Sequence, residues 1–200
     1  DECDGARDGG QREGRDGDRR ASARRVNDAA TMTTIRILEP ADAPLLDAML
    51  EMVGRAFDDI DTYTARKPSA AYLSALLARD HVIAIAAVGD NNPSIDNNNR
   101  AVVGGLVAYE LPKFEQARSE IYIYDLAVDA SHRRRGIATA MIRALQALAA
   151  KRGAWVVYVQ ADYDDEPAIA LYTKLGVRED VMHFDLPVDG DEPDRGPPAT

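Results

Sequence analysis

Cysteine is nearly missing from this 200-residue chain, where Cys3 stands alone. An intramolecular disulfide is therefore impossible, and no cysteine cluster exists to hold a structural zinc. The three histidines, His81, His132 and His183, do not recur at metal-ligand spacing, so no metal is expected. Cations are also scarce: 24 Lys and Arg face 34 Asp and Glu, a formal net charge of -10. That balance argues against non-specific nucleic-acid binding, which runs on neutralised phosphates. It argues equally against a basic membrane-surface role. The longest apolar run, Val82 to Val88, is far short of a membrane span. No apolar signal-like segment follows the N-terminus. These absences point to a soluble cytoplasmic domain. Its acids favour a cationic partner if they gather in one place. Apolar residues make up 46% of the chain, enough for a core. The length suits one domain with a tail.

Residues 1 to 31 differ from the rest. Asp1 to Asp28 carries eight acids, seven arginines and five glycines, with almost no large apolar residue before Val26. Such a segment cannot bury enough surface to offset its ordering entropy, and disorder is expected. No Met stands at position 1, and Met32 directly precedes the first strand pattern. Residues 1–31 therefore read as an extension ahead of a working domain at 32–187. Residues 188–200, with Gly190, Pro193 and Pro197-Pro198, read as a loose tail.

Within the body the periodicity alternates. Strands are expected at Thr33–Leu38, His81–Val88, Ala101–Leu111, Glu120–Val128, Ala154–Ala161 and Val181–Leu186. Helices are expected after Pro40, after Pro68, over Thr139–Arg152 with Gly153 as C-cap, and from Pro167 to Gly176. Asn91–Asn99, with Pro93 and five asparagines, reads as a loop. The order β-α-α-β-β-β-α-β-α-β predicts a mixed α/β or α+β sheet with helices packed on it.

The most informative segment is Leu126 to Thr139. A strand ends at Val128, a short polar turn follows, and Arg133-Arg134-Arg135-Gly136-Ile137-Ala138 leads into a helix. A helix start carries unpaired N–H groups and partial positive charge. Small residues there let an anion reach the backbone, and arginines add fork-shaped donors. The turn suits a pyrophosphate. Spacing alone is also compatible with a solvated basic turn. It is neither a Walker A loop nor a GxGxxG fingerprint.

Leu126-x-Val128 followed by Arg133-x-x-Gly136-x-Ala138 resembles the acetyl-CoA signature of the GNAT N-acetyltransferases. Ala168 to Gly176 is similar to that family's late helix, where a Tyr sits near the CoA sulfur. Longer strings resemble the gentamicin-type aminoglycoside 3-N-acetyltransferases: Leu111 to Gln116, Arg118 to Val128, Tyr158 to Tyr163 and Val181 to Asp185. The resemblance covers residues 33 to 186. It implies a GNAT fold of about six or seven mostly antiparallel strands and about four helices. It also implies acetylation of the 3-amino group of aminoglycoside antibiotics, conferring resistance, by direct attack in a ternary complex. Acetyl-CoA would lie along Leu126, Ala127 and Val128, with its pyrophosphate on Arg133, Arg134, Arg135, Gly136, Ile137, Ala138 and Thr139. The subgroup suggests a homodimer. A polyamine or protein-amine acetyltransferase and a non-catalytic CoA-binding module remain as alternatives.

Acetyl transfer to an amine needs a neutral amine, donors for the oxyanion and a proton or donor for the leaving thiolate. Asp125 is the first candidate for the amine, because a carboxylate among apolar strand residues is costly without a partner or a task. Strict alternation places Ile121, Ile123, Asp125 and Ala127 on one face, although the family's strand carries a bulge that would break this. By resemblance, Asp125 is the acid that meets substrate amines. Tyr172 reads by spacing as a boundary aromatic, and only the resemblance makes it the general acid for the thiolate. Tyr63, Glu120, Tyr124, Asp162 and Asp164 are candidates for the acceptor wall. Asp165 and Glu166 suit the start of the following helix.

Overall fold

A computed structural model describes residues 25–26, 33–89, 101–184 and 186. The chain divides into two compact units, one ending at Val159 and the other beginning at Gln160. The first is a six-stranded sheet whose strand order follows the chain: β1 (Arg25–Val26), β2 (Thr33–Ile37), β3 (Val82–Gly89), β4 (Val102–Pro112), β5 (Ser119–Val128) and β6 (Val157–Val159). All neighbours are antiparallel except β5 and β6, which are parallel. The expected disorder of residues 1–31, the 91–99 loop and the 188–200 tail lie outside the described residues, apart from Arg25–Val26. No helix among the described residues is long and apolar enough to cross a membrane.

Four helices belong to this unit: α1 (Ala43–Ala56), α2 (Ile60–Thr64), α3 (Ala70–Leu77) and α4 (Ile137–Arg152). Each sits where local chemistry places it. Ser69 caps α3 through the Tyr72 N–H at 3.2 Å. Gly153, at φ 73°, ends α4 and donates to the Ala149 and Ala150 carbonyls. Ile137, Met141, Ile142, Leu145 and Ala149 form the buried stripe of α4 at helical spacing. Helix α2 is too short to show a periodicity, and the sequence pattern does not announce it.

β3 is buried along its whole length, as its unbroken apolar run requires when both sheet faces are covered. Ala84, Ala86 and Val88 pack with Leu46, Met49, Met52 and Val53 of α1 and with Leu73 and Leu77 of α3. The opposite face meets α4. A Cβ on Gly104 would stand 3.1 Å from Ile137 and Met141. The next residue, Gly105, faces α1, where a Cβ would overlap the Met49 side chain. Two successive glycines thus let both helices approach the middle of β4. Met49 is only 1% exposed and cannot swing into solvent. Gly105→Ala should therefore cost about 1–3 kcal/mol by overpacking. Differential scanning calorimetry should show Tm falling by about 2 °C or more per kcal/mol.

Strict alternation along β5 fails at the bulge that the resemblance implies, and one expected strand is absent among the described residues. β5 bulges opposite the Val107/Ala108 step: Val107 pairs with Asp125, while Ala108 pairs with Ile123. Tyr124 is the extra residue. Ile121 and Ile123 therefore share the α4 face, and Asp125 and Ala127 turn to the α1 face beside Val107 and Gly105. The expectation that fails is Val181–Leu186, since Val181 to Phe184 and Leu186 form no strand. A strand needs a ladder partner, and the described residues of the second unit contain no other strand. That unit holds α5 (Glu166–Leu175), capped by Asp165, which accepts from the Ala168 N–H at 3.0 Å.

Candidate active site

Where β5 bulges, it also parts from β6. Their pairing runs only from Ile121↔Val157 to Ile123↔Val159. From Tyr124 to Val128 the β5 edge faces no strand on that side among the described residues. Leu126, Ala127 and Val128, proposed from sequence for the pantetheine chain, lie on this open edge. Their backbone groups on that side can bond an extended ligand as another strand would.

The chain then turns into α4. A 3-10 turn at Ala130–His132 is capped by Asp129, whose carboxylate accepts from the Ser131 N–H at 3.0 Å. Arg134 follows at φ 61° and Gly136 at φ 79°. Gly136 is the N-cap of α4 and offers no side-chain bond to the helix. The first helical bond runs from the Ala140 N–H to the Gly136 carbonyl at 2.9 Å. The N–H groups of Ile137, Ala138 and Thr139 thus have no helix partner, the arrangement an anion needs. A Cβ on Gly136 would meet nothing within 4 Å, so the approach is open. These features fit a pyrophosphate.

The three arginines differ. Arg133 donates to the Val128 carbonyl at 3.1 Å and the Ala56 carbonyl at 3.2 Å, bracing the turn against the end of α1. Arg135 donates to the Ser131 carbonyl at 3.0 Å. Arg134 makes no hydrogen bond or ion pair among the described residues.

Asp125 is half-buried and accepts from the Tyr63 hydroxyl at 3.1 Å. Burial lifts its carboxyl above the ordinary value, and the Tyr63 bond partly offsets this. No Arg bonds this carboxylate among the described residues. Burial, and then the Asp125 charge, push the Tyr63 phenol well above its usual range. Four more tyrosines form an aromatic group beside Asp125. Tyr109 packs edge-on to Tyr124 at 5.8 Å, and Tyr122 packs edge-on to Tyr124 at 5.9 Å. Tyr122 also stacks on Tyr158 at 5.0 Å. Sequence reasoning found Tyr63 and Tyr124 but missed Tyr109, Tyr122 and Tyr158. Their signal is the pairing register: Tyr109 lies opposite Tyr122, which lies beside Tyr158.

Glu120 is held by an ion pair. It pairs with Lys113 at 3.3 Å, which also holds Glu115. In the second unit, Asp162 and Asp164 are exposed, with carboxylates that form no ion pair among the described residues. Asp165 and Glu166 begin α5, as expected. Burial pushes the Tyr172 phenol up to about 12, with the Asp165 charge adding to it, so it stays protonated at neutral pH. His132 is bound to Asp129 at 3.2 Å.

No curated protein matches the chain. Among solved structures, an aminoglycoside acetyltransferase from an uncultured soil metagenomic sample is 53% identical, with a TM-score of 0.71 over 78% of this chain and 99% of its own. A second one, also from an uncultured soil metagenomic sample and bound to sisomicin, is 26% identical, with a TM-score of 0.68 over 78% and 97%. The aminoglycoside N-acetyltransferase AAC(6')-Iy in complex with CoA, at 15% identity and a TM-score of 0.60 over 82% and 99%, shares the fold. The model of the acetyltransferase (GNAT) family matches residues 50–177. With the splayed β5 edge and the uncapped glycine turn of α4, this match shows that the chain belongs to the GNAT family of acetyltransferases.

Proposed function

We propose that this acetyltransferase modifies the 3-amino group of aminoglycosides, the gentamicin-type reaction that confers resistance. The observation that carries the reading is Asp125. It is a half-buried carboxylate without a cationic partner among the described residues, set among tyrosines where the β5 edge opens. A carboxylate so placed suits an ammonium, and aromatic faces suit both a cation and the apolar faces of sugar rings. The 53% identity to an aminoglycoside acetyltransferase supports the same acceptor class.

Acetyl-CoA, which the family uses, supplies an acetyl thioester. Asp125 takes the proton that the acceptor ammonium must lose before its nitrogen attacks. The α4 turn binds the pyrophosphate through Gly136, Ile137, Ala138 and Thr139, with Arg134 as the arginine of the turn that no described residue engages. Tyr172, protonated at neutral pH, is assigned the leaving thiolate. Tyr63 and Tyr124 line the acceptor wall, and Glu120, with the exposed Asp162 and Asp164 of the second unit, adds to the negative charge that attracts a polycation at long range. The enzyme works in the cytoplasm as a homodimer. Met182 and Phe184, 82% and 71% exposed, support a partner for residues 181–186.

Assay with acetyl-CoA against gentamicin, sisomicin, spermidine and a peptide amine should show turnover with the first two. NMR of the product should place the acetyl group on the 3-nitrogen. Turnover on spermidine alone would make this a polyamine enzyme, and no turnover on any amine would make it a CoA-binding module. Added salt should raise KM for the drug by screening the acids.

A further inference from the structure

Asp125 sits on a bulge, where the strand ladder constrains it least. Its side-chain partner comes from outside the sheet. Tyr63 belongs to α2 and lies 62 residues away in sequence, yet its hydroxyl reaches Asp125 Oδ1 at 3.1 Å. The corner that delivers it is tightly built. Asp58 stands at φ 56° between α1 and α2. The Asp59 N–H donates to the Gly54 carbonyl at 2.9 Å, and the Asp59 carboxylate caps α2 through the Thr62 N–H at 3.3 Å. Phe57 braces the Tyr63 ring at a centroid distance of 6.1 Å. Gly54 lies under the tyrosine, and a Cβ there would stand 3.0 Å from Tyr63 Cβ. Only glycine leaves that separation undisturbed.

We propose that Tyr63 is a positioning residue for Asp125: its hydroxyl holds Oδ1, leaving Oδ2 for the acceptor, and Gly54 sets the depth of that contact. The proposal rests on the reading of Asp125 as the group that receives the acceptor proton. In that step an N–H bond of the ammonium breaks and an O–H bond forms on Oδ2. The electron pair stays on nitrogen for attack. A carboxylate held through one oxygen loses little rotamer freedom when the acceptor arrives.

The hydrogen bond favours the charged form of Asp125. The other titratable groups around it are Tyr109 of β4, Tyr122 and Tyr124 of β5, and, through Tyr63 and Tyr109, Asp59 before α2 and Tyr72 of α3. None of these is a cation, so among the described residues no other side chain replaces Tyr63 in holding the carboxylate charged. Tyr63→Phe keeps the ring and its Phe57 contact but loses the hydroxyl. It should lower kcat/KM for the acceptor about tenfold, the scale of one hydrogen bond to a charged group. KM for acetyl-CoA should not change. The acid limb of the pH–kcat/KM profile should move to higher pH, because the freed carboxyl holds its proton more tightly.

Gly54→Ala tests the same contact without touching either side chain's chemistry. Alanine favours the helix, so the fold should hold. The acceptor kcat/KM should fall, the acid limb should shift the same way, and adding Tyr63→Phe should cost nothing more. Full additivity of the two losses would overturn the proposal. So would an unshifted acid limb in Tyr63→Phe while Asp125→Asn is inactive, and there the role of Asp125 would stand. Wild-type turnover in Asp125→Asn would instead remove the reading of Asp125, and the positioning role with it.

Discussion

Asp125→Asn lowers kcat/KM for the aminoglycoside by about 10²-fold or more, the usual scale for losing a general base. Asparagine keeps the shape and still accepts the Tyr63 hydrogen bond. The variant therefore removes charge and basicity and little else. KM for acetyl-CoA stays where it was, because Asp125 faces α1 rather than the α4 turn. Stability moves in the opposite direction. The carboxyl holds its proton more tightly in the folded protein than in the unfolded chain. Between the ordinary and the raised value the folded state binds more protons, so stability falls as pH rises through that window. An amide does not titrate there, and the variant escapes this loss. The Tm of Asp125→Asn should equal that of the wild type in acid and exceed it at neutral pH. A variant that is more stable and far less active marks a functional carboxylate. Wild-type kcat/KM in Asp125→Asn across the neutral range would leave Asp125 structural and pass the role to Glu120 or Asp162.

Gly136→Val weakens acetyl-CoA binding by about tenfold or more, as expected for losing a charge-assisted hydrogen bond at the helix start. Two causes act together. Gly136 stands at φ 79°, a conformation that a β-branched residue resists. A side chain would also occupy the open space in front of the α4 N-terminus, where a Cβ meets no protein atom within 4 Å. The helix start is thus blocked toward the ligand and not toward the core. Gly153→Ala separates the causes. Gly153 has φ 73° and equally open surroundings but lies at the far end of the same helix. Gly153→Ala should lower Tm while leaving the acetyl-CoA dissociation constant unchanged by calorimetry. Undiminished acetyl-CoA affinity in a folded Gly136→Val would remove the turn from the binding site.

Much of this is legible in the sequence because it is local. Gly153 and Asp165 announce the end of α4 and the start of α5 by their own chemistry, and the apolar run of β3 declares burial on both faces. The bulge at Tyr124 is not legible by period, since an extra residue is defined only by the strand opposite it. That one residue decides which face Asp125 occupies. Val181–Leu186 fails for the converse reason: its pattern is that of a strand, but pairing depends on a neighbour the pattern does not contain. The tyrosines around Asp125 come from α2, β4, β5 and β6, and only the fold brings them together. The motif assigns Arg133 to the ligand, whereas its guanidinium is engaged by two main-chain carbonyls.

Spatial order matches chain order across the whole sheet, from β1 to β6. A nascent chain can therefore lay each strand against the one synthesised just before it, and none must be threaded between two already paired. When Val128 has left the ribosome, five of the six strands are available as an antiparallel meander. β3 must wait for the excursion through α1, α2 and α3, and β6 for the one through the 16-residue helix α4, before it closes the parallel contact. Synthesis from the N-terminus thus completes the sheet outward, and the last strand to arrive is the one beside the opening that β5 leaves.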